Sequence, residues 1–259
     1  MSARQLAWRL CYEALAARST SAEWSFMNYG FAPLDPGEER VVLQPEDEAD
    51  RLCLQLYAHV VGGTDLGGTD VLEVGSGRGG GSSYLARYHR PRSVTGVDFS
   101  ASAIRLSART RTAPGLRFVR GDALQLPFGA GTFDAVVNVE SSHCYASMPA
   151  FLAEVRRVLR PGGELLWADL RRAADVPALW AQLAGSGLEL VEQRDITAHV
   201  LASLRSDNDR KLALIDAWIP RAFHRPFRRF AGIEGTENFR SFERGERAYL
   251  SARLVRRDA

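Results

Sequence analysis

The chain has 259 residues, of which 46% are hydrophobic and 25% charged, a composition typical of a soluble globular protein. The 33 basic residues nearly balance the 31 acidic ones, so the net charge of +2 gives no general case for nucleic-acid or membrane binding. The three cysteines include no Cys-x-x-Cys pair, and no apolar run approaches the roughly 18 residues of a membrane span. A disulfide framework, a zinc site and stable membrane insertion are therefore not expected.

The N-terminal quarter combines helical periodicity with a cluster of aromatic residues. Apolar residues recur at helical spacing over residues 3–18, and the aromatic segment Trp24–Phe31 follows. A Pro-rich acidic stretch then leads to a second predicted helix over 48–61, which ends at Gly62-Gly63.

From residue 70 onward, short apolar strands alternate with helices of about ten residues. The pattern predicts five strands at 71–74, 93–97, 116–119, 133–139 and 164–168, with helices at 81–89, 101–111 and 149–159 between them. Ser100 can cap the helix that begins at residue 101. Beyond Asp169 we expect a helix at about 175–185, a strand at about 188–194, two helices within 197–230 and a last strand at about 247–256. Such alternation indicates an α/β protein with a doubly wound, mainly parallel sheet.

The glycine-rich loop after the first strand is the first candidate ligand site. Gly75 permits a sharp turn, Gly77 lets the backbone approach a ligand, and the amides at the start of the next helix favour an anionic group. The loop also satisfies the dinucleotide pattern G-x-G-x-x-G. On its own it fits the carboxylate of S-adenosylmethionine, the pyrophosphate of NAD, or no ligand at all.

Two acidic residues at the ends of the next strands narrow these alternatives. Asp98 follows the glycines by about 20 residues and can accept hydrogen bonds from both ribose hydroxyls of either cofactor. Asp122 follows the third strand and can accept a hydrogen bond from an adenine amino group, while Leu124 can pack on the ring.

Five motifs carry a family resemblance. EVGSGRGG, GVDFS, GDALQLPF, FDAVVNVE and LRPGGELLWADL occur in this order over about residues 70–170. The series resembles that of class I S-adenosylmethionine-dependent methyltransferases. The resemblance implies S-adenosylmethionine as cofactor, with contacts from Gly75, Ser76, Gly77, Asp98, Phe99, Asp122, Ala123, Leu124 and Glu140.

The fold expected from the elements and the resemblance is a Rossmann-like, doubly wound, mainly parallel seven-stranded sheet. We expect residues 1–62 to form a helical and aromatic lid and residues 63–196 to form the cofactor-binding core. Residues 197–232 are expected to be a helical cap over the acceptor site, and 233–259 to supply a strand that completes the sheet.

The loop after the fourth strand holds the candidate catalytic residue. Because ligands bind at the carboxyl ends of parallel strands, the segment Glu140–Tyr145 is expected to face the crevice. His143 has an unperturbed pKa of about 6.5, which suits a base near neutral pH. Asp169, at the end of the adjacent strand, could orient its ring and stabilise its charged form. The alternative is that His143 only shapes the pocket.

A closer resemblance supports the catalytic alternative. The Glu140–His143 loop and Ala168-Asp169 resemble motifs of rebeccamycin-type sugar O-methyltransferases, whose proposed catalytic pair is a histidine and an aspartate. ESSHCY, FMNYGF and RFAGIEGT resemble mycobacterial phthiotriolone and phenolphthiotriolone dimycocerosate O-methyltransferases over most of the chain. The resemblance implies His143 as general base, assisted by Asp169, with Glu140 in the same site.

Aromatic residues outside the core are candidates for contact with the acceptor. An apolar lid indicates an apolar acceptor such as a polyketide, lipid or glycoside, and the candidate contacts are Trp24, Tyr29, Tyr145, Trp218 and Phe223. The alternative for the N-terminal aromatics is that they pack the first helix onto the sheet. The arginines between 221 and 229 are expected on a solvated face, or at a rim for an anionic or lipid-like acceptor.

Three functions remain open from the sequence. The first is O-methylation of a hydroxyl on a bacterial secondary metabolite, including polyketide or antibiotic products, with His143 as base. The second is C-methylation of a prenyl or terpenoid chain, with His143 and Glu140 beside a carbocation. The third is a degenerate domain that only binds. A monomer or homodimer in the cytoplasm, acting on a small apolar molecule without nucleic acid or a metal, is the expected context.

Overall fold

A seven-stranded sheet forms the centre of the molecule in the computed structural model, which describes residues 25–257. The strand order is β3-β2-β1-β4-β5-β7-β6. Strands β1 to β5 are parallel, and β7 runs antiparallel between β5 and β6. The strands are β1 Asp70–Val74, β2 Ser93–Asp98, β3 Leu116–Arg120, β4 Phe133–Val139, β5 Leu159–Arg172, β6 Glu189–Asp195 and β7 Arg247–Val255. The predicted seven-stranded Rossmann-like α/β fold is confirmed.

Helices cover both faces of this sheet. They are α1 Arg51–Val61, α2 Gly80–Tyr88, α3 Ala101–Thr110, α4 Met148–Val158, α5 Val176–Ala184, α6 Thr197–Ser206, α7 Asn208–Trp218, α8 His224–Phe230 and α9 Glu237–Glu243. One apolar cluster packs α1 and α2 against the sheet through Leu56 and Leu85, and the other packs α4 and α5 through Phe151 and Leu179. Because the central strands are buried on both faces, they are apolar almost throughout.

Four local features differ from the predicted elements or lie outside the described structure. β5 is longer than predicted at both ends, because Leu159 already pairs with Phe133 of β4 and β7 pairs with β5 continuously from Glu164 to Arg172. Residues 197–230 contain three helices and a short 3-10 turn instead of two helices. The C-terminal segment, predicted only as a strand, also contains α9. The predicted N-terminal helix over 3–18 and Trp24 lie outside the described residues.

Two further findings concern predicted features. Ser100 caps α3, because its hydroxyl accepts a hydrogen bond from the Ala103 amide at 3.1 Å. None of the helices within residues 25–257 is both long and apolar enough to cross a bilayer.

Candidate active site

The glycine loop lies at the carboxyl end of β1 and packs against the loop that follows β4. Gly75, Gly77 and Gly79 all have positive φ, a region that side chains rarely adopt. A Cβ at Gly75 would lie 2.4 Å from the Ser141 Oγ. Glycine is therefore required at residue 75 both for the turn and for the contact between the two loops.

Asp98 is held in place by main-chain amides. Its Oδ2 accepts a hydrogen bond from the Gly77 amide and its Oδ1 accepts one from the Ser100 amide, each at 2.8 Å. These two amides hold the carboxylate at the end of β2, where an acidic residue can accept hydrogen bonds from ribose hydroxyls. In the next loop, Asp122 Oδ1 accepts the Leu124 amide at 2.9 Å. The predicted cofactor contacts of both carboxylates remain predictions.

The residues of the glycine loop fit a cofactor with a charged methionine end. The Ser76 hydroxyl is buried and has no hydrogen-bond partner among residues 25–257. Buried polar groups are nearly always satisfied in native proteins, so an orphaned hydroxyl at this loop indicates a polar ligand. The first amides of α2 supply further donors for an anionic group.

Glu73 is a buried acid in this region that the sequence analysis did not select. Its carboxylate accepts hydrogen bonds from the Tyr57 hydroxyl at 2.6 Å and from the Ser82 hydroxyl. Burial raises its pKa to about 7. The available signal was a carboxylate between the apolar residues Leu72 and Val74, in the interior of strand β1.

His143 and Asp169 form the predicted pair. The His143 Nδ1 lies 2.7 Å from Asp169 Oδ1, and the His143 amide donates to Asp169 Oδ2 at 2.8 Å. Asp169 is fully buried, whereas the imidazole is partly exposed. The two contacts fix both the imidazole ring and the backbone of the loop. Because Nδ1 is engaged by Asp169, Nε2 is the ring nitrogen that can interact with a methyl acceptor.

A buried polar network supports this pair. The Ser142 hydroxyl donates to Asp169 Oδ2 at 2.6 Å and itself accepts a hydrogen bond from the Trp167 indole at 3.0 Å. The Arg171 guanidinium lies 3.2 Å from Asp169 Oδ2. The carboxylate is thus supported by a serine, an arginine and the histidine itself.

The electrostatics of the pair favour an ion pair. Burial alone would lower the pKa of His143, but the adjacent Asp169 carboxylate outweighs it and raises the pKa well above its usual value. Burial alone would raise the pKa of Asp169, but His143 and Arg171 outweigh it and hold the pKa below its usual range. His143 therefore carries a proton up to a higher pH than a free histidine does.

Glu140 connects the loop after β4 to the N-terminal segment and to β7. Its Oε2 accepts hydrogen bonds from the Tyr29 amide and from the Tyr249 hydroxyl, both at 2.8 Å. Burial raises its pKa to about 7. Its positive φ of 49° is uncommon outside glycine and marks a constrained turn at the end of β4. The structure thus brings Glu140 and Tyr29 together.

The remaining predicted acceptor residues lie in different surroundings. The Tyr145 hydroxyl is 2.9 Å from Ser141 Oγ and 3.1 Å from the Asn138 amide nitrogen, which places it against the glycine loop. Trp218 and Phe223 are 45% and 48% exposed on the outer surface of the helices after β6. Their contact with an acceptor remains a prediction. Within residues 25–257, no group of three or more histidine, cysteine or acidic side chains could hold a metal ion.

Comparison with known sequences identifies relatives along nearly the whole chain. Residues 72–167 match the profile of a family described as methyltransferase domain. A protein of Mycobacterium leprae (strain TN) named phthiotriol/phenolphthiotriol dimycocerosates methyltransferase is 40% identical over 242 residues, which is 93% of this chain and 89% of its own. The fatty-acid O-methyltransferase of Mycolicibacterium smegmatis is 40% identical over 216 residues, or 83% of this chain and 78% of its own.

Solved structures support the fold at lower identity. The [4+2]-cyclase SpnF superposes with a TM-score of 0.72 and 18% identity, covering 98% of this chain and 97% of its own. The geranyl diphosphate C-methyltransferase from Streptomyces coelicolor A3(2), solved with Mg²⁺, geranyl diphosphate and S-adenosyl-L-homocysteine, gives a TM-score of 0.61 at 18% identity. It covers 95% of this chain and 98% of its own. At these identities the likeness shows the fold alone.

Proposed function

The chain belongs to the family of S-adenosylmethionine-dependent methyltransferases that includes the mycobacterial phthiotriol/phenolphthiotriol dimycocerosates methyltransferases, and on this premise we propose that it methylates a hydroxyl oxygen of an apolar, lipid-like acceptor. The observation that carries the proposal is the 2.7 Å contact between His143 and Asp169 at the carboxyl edge of the sheet. His143 is the general base, and Asp169 positions it.

In the proposed reaction the protein has two tasks: it aligns the acceptor hydroxyl with the methyl group, and it removes the hydroxyl proton. When bound, S-adenosylmethionine supplies a methyl group that its positively charged sulfur makes electrophilic. His143 accepts the hydroxyl proton at Nε2, because Nδ1 is already engaged by Asp169. The carboxylate of Asp169 then stabilises the imidazolium that forms. The acceptor oxygen thereby gains the methyl group and loses its proton.

The cofactor is proposed to lie along the carboxyl ends of β1, β2 and β3. The orphaned Ser76 hydroxyl and the positive-φ glycines of the loop support a site for the methionine end. The amide-anchored Asp98 supports a site for the ribose. The full set of proposed contacts is Gly75, Ser76, Gly77, Asp98, Phe99, Asp122, Ala123, Leu124 and Glu140.

The acceptor is proposed to be long and apolar because of the relatives and the lid. Two relatives are named as methyltransferases of phthiotriol or phenolphthiotriol dimycocerosates and of fatty acids. In this chain, Tyr29 of the proposed lid (residues 1–62) is buried at the Glu140 carboxylate. Its hydroxyl also donates to the Phe230 carbonyl at 3.0 Å, in the proposed cap of residues 197–232. These two contacts of Tyr29 support the proposal that lid and cap meet next to the loop after β4.

A second candidate function is methyl-ester formation on a fatty carboxylate. The raised pKa of His143 favours this function, because a charged imidazole would bind the ionised carboxylate of a fatty acid. An ionised carboxylate has no proton to lose, so its methylation needs no general base. The two functions predict opposite pH dependence. A hydroxyl acceptor needs neutral His143, so its rate rises with pH through that pKa, whereas a carboxylate acceptor benefits from charged His143 and its rate falls.

The deciding experiment is methyl transfer by the full chain to a long-chain secondary alcohol and to the fatty acid of equal length, with product analysis. A methyl ether supports the first proposal, a methyl ester supports the second, and a carbon-linked methyl group on a prenyl acceptor would instead favour the C-methyltransferase alternative.

The role of His143 as base is tested in the same assay. His143→Ala should lower kcat for the alcohol by roughly 10²–10⁴-fold and keep affinity for S-adenosylhomocysteine, because a general base acts only in the chemical step. His89→Ala is the matched control, since His89 lies at the opposite end of α2 from the glycine loop. A loss below tenfold in His143→Ala would contradict the role.

A further inference from the structure

An exposed aromatic and basic surface lies at the tip of the cap, formed by residues 216–229 and named here the cap tip. Trp218 ends α7, and Phe223 ends the 3-10 turn that follows it. Their side chains are 45% and 48% exposed, although large aromatic residues are normally buried. The two residues are five positions apart in the chain, so both can contribute to one exposed apolar patch of the kind that marks interaction surfaces.

A small buried apolar cluster supports the segment that carries the two exposed aromatics. Ile215, Ile219 and Phe227 are buried together on the inner side of the cap tip. The His224 ring also bonds to the Ile219 carbonyl at 2.7 Å, which ties the turn to the end of α7. The cap tip therefore holds Trp218 and Phe223 outward on a fixed support.

Positive charge is concentrated in the same segment, where Arg221, Arg225 and Arg229 are exposed. Four arginines and one aspartate give the cap tip a charge of +3, while the whole chain carries only +2. Arg228 pairs with Asp216 at 3.0 Å, whereas Arg221, Arg225 and Arg229 form no ion pair within residues 25–257. Elsewhere arginines commonly pair with carboxylates, as Arg92 does with Asp70.

We propose that the cap tip docks the enzyme on an anionic phospholipid bilayer. Tryptophan and phenylalanine insert at the level of the headgroups, and arginines are attracted to anionic headgroups by their charge. A protein partner would pair arginines with carboxylates one by one, whereas three exposed arginines without an ion pair in the described part of the chain, in the same short segment as two exposed aromatics, suit a continuous anionic surface better. Docking on the bilayer would bring the proposed lid and cap close to the lipid, in which a long apolar acceptor dissolves.

Vesicle flotation tests the proposal without any methyl acceptor, so its result is independent of the proposed reaction. The full chain is mixed with vesicles of equal parts phosphatidylglycerol and phosphatidylcholine, or of phosphatidylcholine alone. We expect the protein to float with the anionic vesicles, to float less at high salt, and to stay largely in solution with the neutral ones.

Two double variants identify the surface. Arg221→Glu with Arg225→Glu, and separately Trp218→Ala with Phe223→Ala, should each reduce partitioning by about tenfold or more. The charge control is Arg90→Glu with Arg109→Glu, which changes the net charge equally on exposed arginines outside the cap tip. The apolar control is Val42→Ser, at a side chain that is 86% exposed.

Folding is monitored in every variant by its unfolding temperature and its affinity for S-adenosylhomocysteine. Absence of wild-type flotation on the anionic vesicles overturns the proposal, and so does equal partitioning of the cap-tip and control variants.

Discussion

At the residue scale, His143 and Asp169 hold each other in their charged forms, because the Asp169 carboxylate raises the pKa of His143 and His143 in turn lowers the pKa of Asp169. The contact between His143 and Asp169 was expected from the family resemblance and from the predicted ends of two adjacent parallel strands, although β5 continues past Asp169 to Arg172. The raised pKa values of Glu73 and Glu140 were not predictable, because they come from burial of the two carboxylates in the folded protein, which outweighs the lowering effect of the hydrogen bonds from Tyr57 and Tyr249. The pKa of a carboxylate depends on how deeply long-range packing buries it, and a local sequence motif does not predict that burial.

The influence of Asp169 on His143 gives a prediction about pH. Asp169→Asn removes the carboxylate that raises the pKa of His143, so that pKa should fall. For a hydroxyl acceptor, the rise of kcat/KM with pH should then move to lower pH. The maximum rate should fall by about 10–100-fold, since a charge-assisted hydrogen bond to the imidazolium is lost. A pH–rate profile of both proteins measures the two effects together.

The control for that profile is Asp209→Asn, a carboxylate in the first turn of α7. Its profile should coincide with that of the wild type. A profile of Asp169→Asn that keeps its midpoint would show that Asp169 does not set the pKa of the catalytic group.

At the scale of elements, the regular part of the sheet was predictable and the cap was not. Strands β1 to β4 are short apolar segments bounded by glycines or turns, and their positions follow from local pattern. The cap is divided by Pro220 and by short turns into pieces of 7–11 residues, for which periodicity gives little signal. Helix α9 was not predicted either, because it is only seven residues long and periodicity gives little signal over that length.

The segment around Gly30 gives the prediction at this scale. Gly30 has a φ of +77°, and a Cβ there would lie 2.4 Å from the Ser203 Oγ and 3.0 Å from the Leu52 backbone. Gly30→Ala should therefore lower the free energy of unfolding by about 2–4 kcal/mol, from backbone strain and from separation of the segment from α1 and α6. Urea denaturation measures the change.

Gly37 provides a matched control in the same stretch of chain. A Cβ at Gly37 would meet no heavy atom within 4 Å. Gly37→Ala should change the free energy of unfolding by no more than about 0.5 kcal/mol. Similar losses in the two variants would mean that Gly30 is not a tight contact.

At the scale of the whole molecule, the two buried carboxylates link stability to pH. Glu73 lies under the glycine loop and Glu140 joins the lid segment to the sheet, and the pKa of each is raised from 4.5 to about 7. Between pH 4.5 and about 7, the folded protein keeps a proton on each that the unfolded chain has released. Their contribution to stability is therefore fully present below pH 4.5 and is lost as the pH rises through about 7.

This linkage predicts that removing either charge flattens the dependence of stability on pH. Glu73→Gln and Glu140→Gln should each reduce the fall in unfolding free energy between pH 5 and pH 8 by on the order of 3 kcal/mol. Urea unfolding at several pH values measures the slope, and Glu234→Gln, at an exposed position, should keep the wild-type slope. If both buried variants also kept that slope, the carboxylates would titrate as they do in water, and the closed packing of lid and glycine loop around them would not persist in solution.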